Sequence, residues 1–322
     1  MRSPALFLAS LGLVCAAPIS SPHVGETLQN ILANTDGSPL YTYPTDLTRG
    51  IVPKNFHSHN DYWRDVPFYS AIAYGSISTE ADVWLINGTL YVGHEVSALT
   101  KERTFDALYI QPIMDTIKRQ NPTTPFASSS STKNGIFDTS SGQTLYFWID
   151  LKTPGDTTWP AVLEALAPLK DAGYLTTTDG KTVTPGQVTA IGTGNTPKSY
   201  FLPNDPASAS NPRYTFFDGP LATLNATENA NITKTITLIA SAPLSGTAGE
   251  IRTEGLSKDQ LAAVRAQIAT AKSKGIGARY WDTPAWPIGT RNAVWRTLWE
   301  EGVALVNVDD LAAASEFWKN LG

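Results

Sequence analysis

Cysteine is almost absent from this sequence of 322 residues, and the single one, Cys15, lies in an apolar N-terminal stretch. The remainder of the chain has no thiol, which excludes internal disulfides, thiolate catalysis and thiolate metal sites. Stability must therefore come from a buried core. With 42% hydrophobic residues, a chain of this length can bury one comfortably.

Long apolar runs and basic clusters are missing as well. Beyond the N-terminal stretch, no apolar run approaches the roughly 20 residues that a membrane-spanning helix needs. The 24 Lys and Arg are outnumbered by 29 Asp and Glu, for a net charge of −5. No basic stripe is present that would favour nucleic acid or an anionic membrane surface. We therefore expect no transmembrane segment and no nucleic-acid partner, while protein partners and oligomeric state stay open.

The N-terminus has the pattern of an export signal. Arg2 precedes an apolar run that ends at Cys15, and small residues follow it. Such a segment is too short to span a bilayer and is typical of a cleaved secretory signal peptide. We expect residues 1–16 to be that signal and the mature protein to be secreted to the extracellular space. Three N-glycosylation sequons are compatible with a glycoprotein: Asn87, Asn225 and Asn231.

The order of the sequence patterns predicts the fold. Residues 17–48 are rich in Ser, Thr, Pro and Asn without a long period, so we expect an N-terminal extension on the surface. Over residues 49–322, β-rich runs alternate with helical patterns, which predicts a parallel sheet. About eight strands, most followed by a helix, match a (β/α)8 TIM barrel forming a single catalytic domain. A doubly wound open sheet is the alternative.

Several elements have local signatures. Asn87 and Gly88 between two alternating runs predict a two-residue hairpin turn. Ser257 and Gln260 form a capping box that opens a helix, and Gly275 closes it. The clearest strand sequences are SISTEADVWL, LYFWIDL, GARYW and VALVNV, whereas RYTFFD and TITLIA are harder to assign.

Acidic side chains are concentrated on two of these strands. Residues two apart on a strand point to the same face, so Glu80 with Asp82, and Asp150 with Lys152, can face one site. Three carboxylates at one end of a sheet would repel strongly in a low dielectric, and a divalent cation removes that repulsion. Mg²⁺ suits a few carboxylates plus a substrate phosphate oxygen, and Ca²⁺ is the looser alternative. Lys152 can neutralise a phosphate or pair with the acids.

Histidine is scarce, with four residues in the chain, and three of them flank these acids. His59 and His94 are the candidate acid and base, or nucleophile and acid, because imidazole exchanges protons near neutral pH. His57, two residues from His59, either shares its face or is buried behind it. We favour His59 over His57 as the catalytic group.

Three further features bear on the site. Trp281 ends a predicted strand and can wall a substrate pocket, although plain aromatic packing is equally consistent. Asn307 and Asp309 follow the last strand, where we expect them to cap the final helix. The stretch 121–143 is a loop without a periodic signal, and we expect it to cover the site as a mobile flap.

Other readings of the same residues remain open. A barrel glycosidase would use Glu80 or Asp82 with Asp150 as paired carboxylates and tryptophans as sugar platforms. A secreted binding barrel would keep the pocket without turnover. The glycine-rich sequence at 191–197 lacks the third glycine and the helical continuation of a dinucleotide-binding loop.

Taken together, the motifs HSHNDYW, EADVWL, VGHE and DLK resemble the superfamily of phospholipase C-like phosphodiesterases. That superfamily has a TIM-barrel catalytic domain and includes glycerophosphodiester phosphodiesterases and sphingomyelinase D enzymes. More narrowly, the chain is similar to the fungal and bacterial "altered inheritance of mitochondria" group. The resemblance covers nearly all of residues 50–320.

The resemblance implies a metal-dependent phosphoric diester hydrolase that acts on a glycerophosphodiester or a phospholipid headgroup. It implies His59 and His94 as the catalytic histidines and Mg²⁺ as the usual metal. The implied metal ligands are Glu80, Asp82 and Asp150. The implied substrate-binding residues are Lys152 and Trp281. Asn60 departs from the arginine that usually follows the first histidine in glycerophosphodiesterases, and we expect it to bind substrate as well.

Overall fold

The protein is described here from a computed structural model, in which residues 25–127, 133–202 and 210–320 are described. The predicted signal peptide, residues 1–16, lies outside the described residues. The chain divides into two compact units, Met1–Tyr43 and Pro44–Gly322.

The described part of the first unit contains one helix, α1 (Glu26–Thr35). The composition of residues 17–48 did not indicate this helix, and the N-terminal extension itself stays a prediction. Leu28, Ile31 and Leu32 have the i, i+3, i+4 spacing of an amphipathic helix, a short signal within a polar composition. No side chain of this helix, which lies wholly in the described range, is buried.

The second unit is built on a parallel sheet. Its strands are β1 (Lys54–Ser58), β2 (Ser76–Ile86), β4 (Leu145–Leu151), β7 (Val188–Gly194), β8 (Thr215–Phe217), β9 (Gly219–Pro220), β10 (Ile239–Pro243), β11 (Gly277–Trp281) and β12 (Leu305–Val308). Across the sheet their order is β8-β7-β4-β2-β1-β12-β11-β10-β9. Only Asp218 separates β8 from β9, so these are two halves of one bent strand joining the ends of the sheet. The predicted (β/α)8 barrel is thereby confirmed.

Two antiparallel hairpins lie off the barrel path. Strand β3 (Thr89–Val92) pairs with the end of β2, and β5 (Thr177–Thr178) pairs with β6 (Val183–Thr184). Asn87 and Gly88 join the first pair with φ angles of 49° and 79°. Positive φ at both positions is the requirement of a type I′ turn, as the sequence predicted.

Helices cover the outside of the sheet. They are α2 (Tyr69–Ala73), α3 (Gln111–Gln120), α4 (Gly155–Ala165), α5 (Ala167–Asp171), α6 (Leu244–Ala248), α7 (Lys258–Ser273), α8 (Ile288–Glu300) and α9 (Leu311–Lys319). The capping box of Ser257 and Gln260 is present at the start of α7. None of the helices within the described ranges is both long and apolar enough to cross a membrane.

Two element boundaries differ from the prediction for identifiable reasons. The helix predicted over residues 159–172 begins earlier and breaks at Leu166, because Pro168 in the first turn of α5 has no N–H to continue the ladder. The strand predicted at TITLIA starts only at Ile239. Before it, the N–H groups of Ile236 and Thr237 turn back to the carbonyl of Thr233.

Buried apolar side chains form two clusters between the sheet and the helices. One lies behind β2, β4 and β7, and the other behind β10, β11 and β12. Inside the barrel, Trp148 contacts the ring of His57 at a centroid distance of 5.6 Å and the guanidinium of Arg279 at 4.6 Å. The clusters fix the strands, and so fix the positions of the side chains at the strand ends.

Candidate active site

The candidate site lies at the carboxyl ends of β1, β2 and β4, which are neighbours in the sheet. Asp82 and Asp150 are directly paired in the parallel register of β2 and β4, so both side chains leave the sheet on the same face. Glu80, two residues before Asp82, shares that face. The period of two along these strands explains why the spacing in the sequence predicts the cluster.

Three carboxylates form what we call the acid cluster: Glu80, Asp82 and Asp150. Each offers an oxygen, and the three oxygens lie within 4.8 Å of one another. Lys152 Nζ contacts Oδ2 of Asp82 at 3.0 Å and Oδ2 of Asp150 at 2.9 Å. The other oxygen of each aspartate, Oδ1, is buried without a hydrogen-bond partner in the described part of the chain. Each aspartate therefore has one satisfied oxygen and one unsatisfied oxygen.

The protonation of the acid cluster reflects its burial. Burial, together with the negative charges of Glu80 and Asp150, raises the pKa of Asp82 to about 6. Burial also raises the pKa of Asp150. For Lys152, burial alone would lower the pKa, but the charges of Asp150 and Asp82 hold it above the usual value.

A divalent cation fits this set of donors. Hard cations prefer carboxylate oxygens, and the two unpaired Oδ1 atoms supply ligands that no protein donor uses. A buried oxygen without a partner costs free energy, and a bound cation would remove that cost. The arrangement does not distinguish Mg²⁺ from Ca²⁺.

His57 lies beneath the site rather than in it. Its side chain is completely buried, with Nδ1 2.7 Å from Ser78 Oγ and Nε2 3.5 Å from Glu80 Oε2. Burial, then the nearby charge of Arg279, lowers the pKa of His57 to about 3, so the ring is neutral at ordinary pH. Burial would raise the pKa of Glu80, but the contact with His57 and the charges of His59 and Arg279 hold it below the usual value.

His59 directly follows β1, and its side chain is oriented by Asp309, which directly follows β12. Its Nδ1 lies 2.7 Å from Asp309 Oδ1, which turns Nε2 toward Glu80 Oε2 at 4.0 Å. Burial would raise the pKa of Asp309, but the hydrogen bond and charge of His59 and the charge of Arg64 hold it below the usual value. Asp309 therefore orients a candidate catalytic histidine.

The expectation that Asn307 and Asp309 cap the final helix was wrong. Asp310 is the cap, accepting the N–H of Ala313 at 3.0 Å. Asn307 lies inside the barrel and accepts from Arg279 Nη2 at 2.7 Å. One polar residue is enough to cap a helix. Two consecutive aspartates, Asp309 and Asp310, therefore indicated in the sequence that one of them has a role other than capping.

Arg64 joins the loops after β1 and β12, and it was not among the predicted site residues. Its guanidinium donates to the carbonyl of Asp309 at 2.5 Å, to the carbonyl of His59 at 2.7 Å and to Ser58 Oγ at 3.2 Å. These bonds fix the backbone on both sides of the His59–Asp309 pair. A single arginine in a loop has no periodic context, which is why sequence reasoning missed it.

His94 is held by the acid cluster itself. Its Nδ1 lies 3.2 Å from Asp82 Oδ2 and 3.0 Å from Tyr62 Oη, and the hydroxyl of Tyr62 donates to Asp82 Oδ2 at 2.7 Å. The hairpin of β2 and β3 returns His94 to this position, where Gly93 N–H donates to the carbonyl of Asp82 at 3.1 Å. Burial and the charge of Asp82 raise the pKa of Tyr62, so it stays a neutral donor. Tyr62 was not among the predicted residues.

Asn60 and Trp281 occupy different surroundings. Asn60 is buried, gives its N–H to Glu80 Oε2 at 2.9 Å, and places its side-chain amide 2.5 Å from the Tyr62 hydroxyl oxygen. Its contacts are thus with other site residues, and its left-handed backbone (φ 49°) places them. Trp281 ends β11 at the same edge of the barrel and is 40% exposed. Their substrate roles stay predictions.

The predicted flap lies at the other end of the barrel. In the described parts of 121–143, Ile136 O accepts from Thr48 Oγ1 at 2.7 Å, and Thr139 Oγ1 donates to the carbonyl of Ile51 at 2.5 Å. Both partners precede β1. A loop that leads into a parallel strand lies at the amino ends of the strands, opposite the carboxyl ends that carry the site. The flap prediction was therefore wrong for these parts, and residues 128–132 of the stretch lie outside the described residues.

The chain is similar to known proteins over most of its length. Residues 45–218 match the family model described as an AIM6-like phosphodiesterase domain. The chain is 51% identical to an "Altered inheritance of mitochondria protein 6 homolog" of Arthroderma benhamiae over 99% of this chain and 100% of the relative.

More distant relatives carry the same name. The chain is 34% identical to "Altered inheritance of mitochondria protein 6" of Candida glabrata, over 84% of this chain and 72% of the relative. The corresponding protein of Eremothecium gossypii is 33% identical over 84% and 71%. No solved structure matches the chain significantly. The chain belongs to the altered inheritance of mitochondria protein 6 family, which has a phosphodiesterase-like domain.

Proposed function

We propose that the protein is a secreted, metal-dependent phosphoric diester hydrolase acting on a glycerophosphodiester or a phospholipid headgroup. One observation carries the proposal: two buried aspartate oxygens without a partner among the described residues face a site that is flanked by two anchored histidines. The family match to a phosphodiesterase-like domain supports the reaction class. The N-terminal pattern of residues 1–16 supports export.

The carboxylates of the acid cluster, Glu80, Asp82 and Asp150, would hold the cation. A bound divalent cation supplies Lewis-acid polarisation of a phosphate oxygen. Lys152, already between the two aspartates, adds a fixed positive charge at the same edge. The cation and Lys152 together would offset the three carboxylate charges, so an anionic diester would not meet bare carboxylates.

Each histidine is anchored at Nδ1 by an aspartate, so Nε2 is the ring nitrogen that can act on a substrate. Asp309 accepts from Nδ1 of His59, so Nε2 keeps its lone pair and can attack phosphorus or take a proton. His94 is anchored at Nδ1 by Asp82 and Tyr62, and in its protonated form, with an N–H on each ring nitrogen, it would give the Nε2 proton to the departing oxygen. His57, buried and neutral, supports Glu80 and takes no proton from the substrate.

The test is hydrolysis of bis-p-nitrophenyl phosphate, glycerophosphocholine and lysophosphatidylcholine by the secreted protein. We expect activity that EDTA removes and Mg²⁺ restores. His59→Ala and His94→Ala should each lower turnover by about 10²–10⁴-fold without unfolding the chain. Glu316→Gln, on the exposed side of α9, is the matched control and should leave turnover unchanged.

Two results would count against the proposal. The proposed function is wrong if the folded protein hydrolyses no diester with or without metal. It is also wrong if both histidine variants keep full activity. Metal-independent cleavage of a glycoside would instead establish the paired-carboxylate glycosidase.

A further inference from the structure

Large apolar side chains are exposed around the mouth of the candidate site. Within the described ranges, three tryptophans are exposed by more than a third: Trp63 (60%), Trp281 (40%) and Trp286 (74%). All three lie at or after the carboxyl ends of barrel strands. Together with three exposed aliphatic neighbours they form what we call the rim patch: Trp63, Val66, Val96, Trp281, Trp286 and Ile288.

The rim patch follows one continuous arc of loops. The ring of Trp63, after β1, lies 5.3 Å from the ring of His94, which begins the loop that contains Val96. Arg64 joins the β1 loop to the β12 loop, and Arg291 in α8 contacts Asp310 at 3.0 Å. The strand order β2-β1-β12-β11 places these loops side by side. The patch is therefore one-sided and borders the acid cluster.

The loops of this arc are held in place by hydrogen bonds. Besides the bonds of Arg64, Arg103 Nη2 donates to the carbonyl of Tyr62, next to Trp63, at 2.5 Å. A fixed tryptophan that is left in water forgoes the stabilisation that burial would give it. Apolar side chains grouped at one place on a surface mark an interaction site rather than chance exposure.

The position of the patch determines what can cover it. Whatever sits on the arc also sits over the mouth of the site, so it must deliver the substrate rather than block it. A bilayer surface meets this condition if the diester is part of a lipid. Tryptophan is a side chain that favours the membrane–water interface, and the rim patch presents three of them together with three aliphatic side chains.

The charges beside the patch select the type of lipid. Asp65, Glu95 and Asp282 lie beside patch residues, and the whole chain is acidic with a net charge of −5. The neighbouring cations Arg64 and Arg291 are engaged with a backbone carbonyl and with Asp310. An acidic rim is repelled by anionic lipid and is compatible with a zwitterionic surface.

We propose that the rim patch docks the protein on a zwitterionic lipid surface, so that the substrate is a phosphodiester headgroup presented from a bilayer. This inference rests on the proposed function, which it narrows from diesters in general to membrane-borne ones.

The first measurement is co-sedimentation of the full secreted chain with phosphatidylcholine vesicles in EDTA, where no turnover is needed. We expect binding that phosphatidylserine does not strengthen. Trp286→Ser with Ile288→Ser, and separately Val66→Ser with Val96→Ser, should each weaken vesicle partitioning by about tenfold or more. The matched control is Val52→Ser with Tyr74→Ser. These two exposed residues precede β1 and β2, at the opposite edge.

Turnover separates this inference from the proposed function. The rim variants should keep wild-type rates on soluble bis-p-nitrophenyl phosphate and lose rate on vesicle-borne diester. If the protein binds vesicles through the rim patch but cleaves no diester, the proposed function is wrong and the inference of membrane docking still holds. If the wild-type protein does not bind vesicles, or if the control loses as much binding as the rim variants, the docking inference is wrong. The proposed diesterase function would be unaffected.

Discussion

Two kinds of buried carboxylate occur in this barrel, and they are satisfied differently. Asp61 and Asp218, which we call the structural aspartates, have both oxygens occupied by neutral donors. Asp61 accepts from Ser58 Oγ at 2.6 Å, Phe68 N–H at 2.6 Å and Tyr109 Oη at 3.1 Å. In the acid cluster, by contrast, Asp82 and Asp150 each leave Oδ1 buried without a partner in the described chain.

Protonation does not separate the two kinds. Burial is the leading cause in each case, and it raises the pKa of Asp61, Asp82 and Asp218 alike to about 6. What differs is the geometry of the donors. A perturbed carboxyl is therefore a weak indicator of function in this molecule, whereas an unsatisfied oxygen facing a site points to a ligand.

The largest effect should come from exchanging one acid of each kind for its amide. Asp82→Asn removes a metal-ligating charge, and we expect turnover to fall by at least about a hundredfold together with the loss of metal-induced thermal stabilisation. Asp218→Asn keeps its hydroxyl partners Ser241 and Thr193, and we expect it to retain the metal response. Differential scanning fluorimetry with EDTA and then Mg²⁺ measures the metal-induced thermal stabilisation of both variants.

Equal metal responses in the two variants would break the distinction between the two kinds of carboxylate. Asp150→Asn provides a second acid-cluster variant, so that misfolding of one protein does not decide the outcome. Its Oδ2 contacts Lys152 at 2.9 Å, and its Oδ1 is the other unpaired oxygen.

The next effect is a pH dependence that belongs to Asp218. Burial raises the pKa of Asp218 from its ordinary value of 3.8, which applies to the unfolded chain, to about 6 in the folded protein. The folded state therefore holds the proton more tightly than the unfolded state. The contribution to stability is complete below pH 3.8 and is lost as the pH rises through 6. The loss amounts to about 3 kcal/mol.

Asp218→Asn imitates the protonated acid and should remove this slope. We expect the free energy of unfolding of the variant, relative to wild type, to rise by about 3 kcal/mol between pH 4 and pH 6.5 and then to level off. Urea unfolding at constant ionic strength in EDTA provides the measurement. A difference that stays constant across that range would show that burial of Asp218 does not control its protonation.

Much of the fold and the acid cluster could be predicted because the signals are local. Alternation along β2 and β4 predicts that Glu80, Asp82 and Asp150 share one face. The partners that orient the histidines were missed because they depend on barrel closure: His59 and Asp309 are 250 residues apart and meet only because β1 pairs with β12. Which tryptophans remain outside the core is likewise decided by packing, not by sequence spacing.

The glycine-rich stretch at 191–197 shows the same limit. Its motif fails as a nucleotide-binding loop, and the sequence offers no other reason for Gly194. In the structure, Gly194 ends β7 beside Asp150 with a φ of +62°. A Cβ at this position would lie 1.9 Å from Asp150 Oδ1, the unpaired oxygen of the acid cluster. The space that glycine leaves is thus part of the candidate metal site.

The smallest predicted effect tests this role of Gly194. Gly194→Ala should weaken metal binding by about 10–100-fold, because the added methyl displaces the Asp150 carboxylate. Gly302→Ala is the matched control: its φ is +80°, and no atom of the described structure lies within 4 Å of an added Cβ. Both variants carry a left-handed backbone cost of about 1–2 kcal/mol, and Gly194→Ala must also displace Asp150, so its free energy of unfolding in EDTA should fall at least as far as that of Gly302→Ala. Only Gly194→Ala should then need about 10–100-fold more Mg²⁺ to reach the same metal-induced thermal shift. An equal shift in both would mean that Asp150 does not hold the metal through the oxygen that Gly194 accommodates.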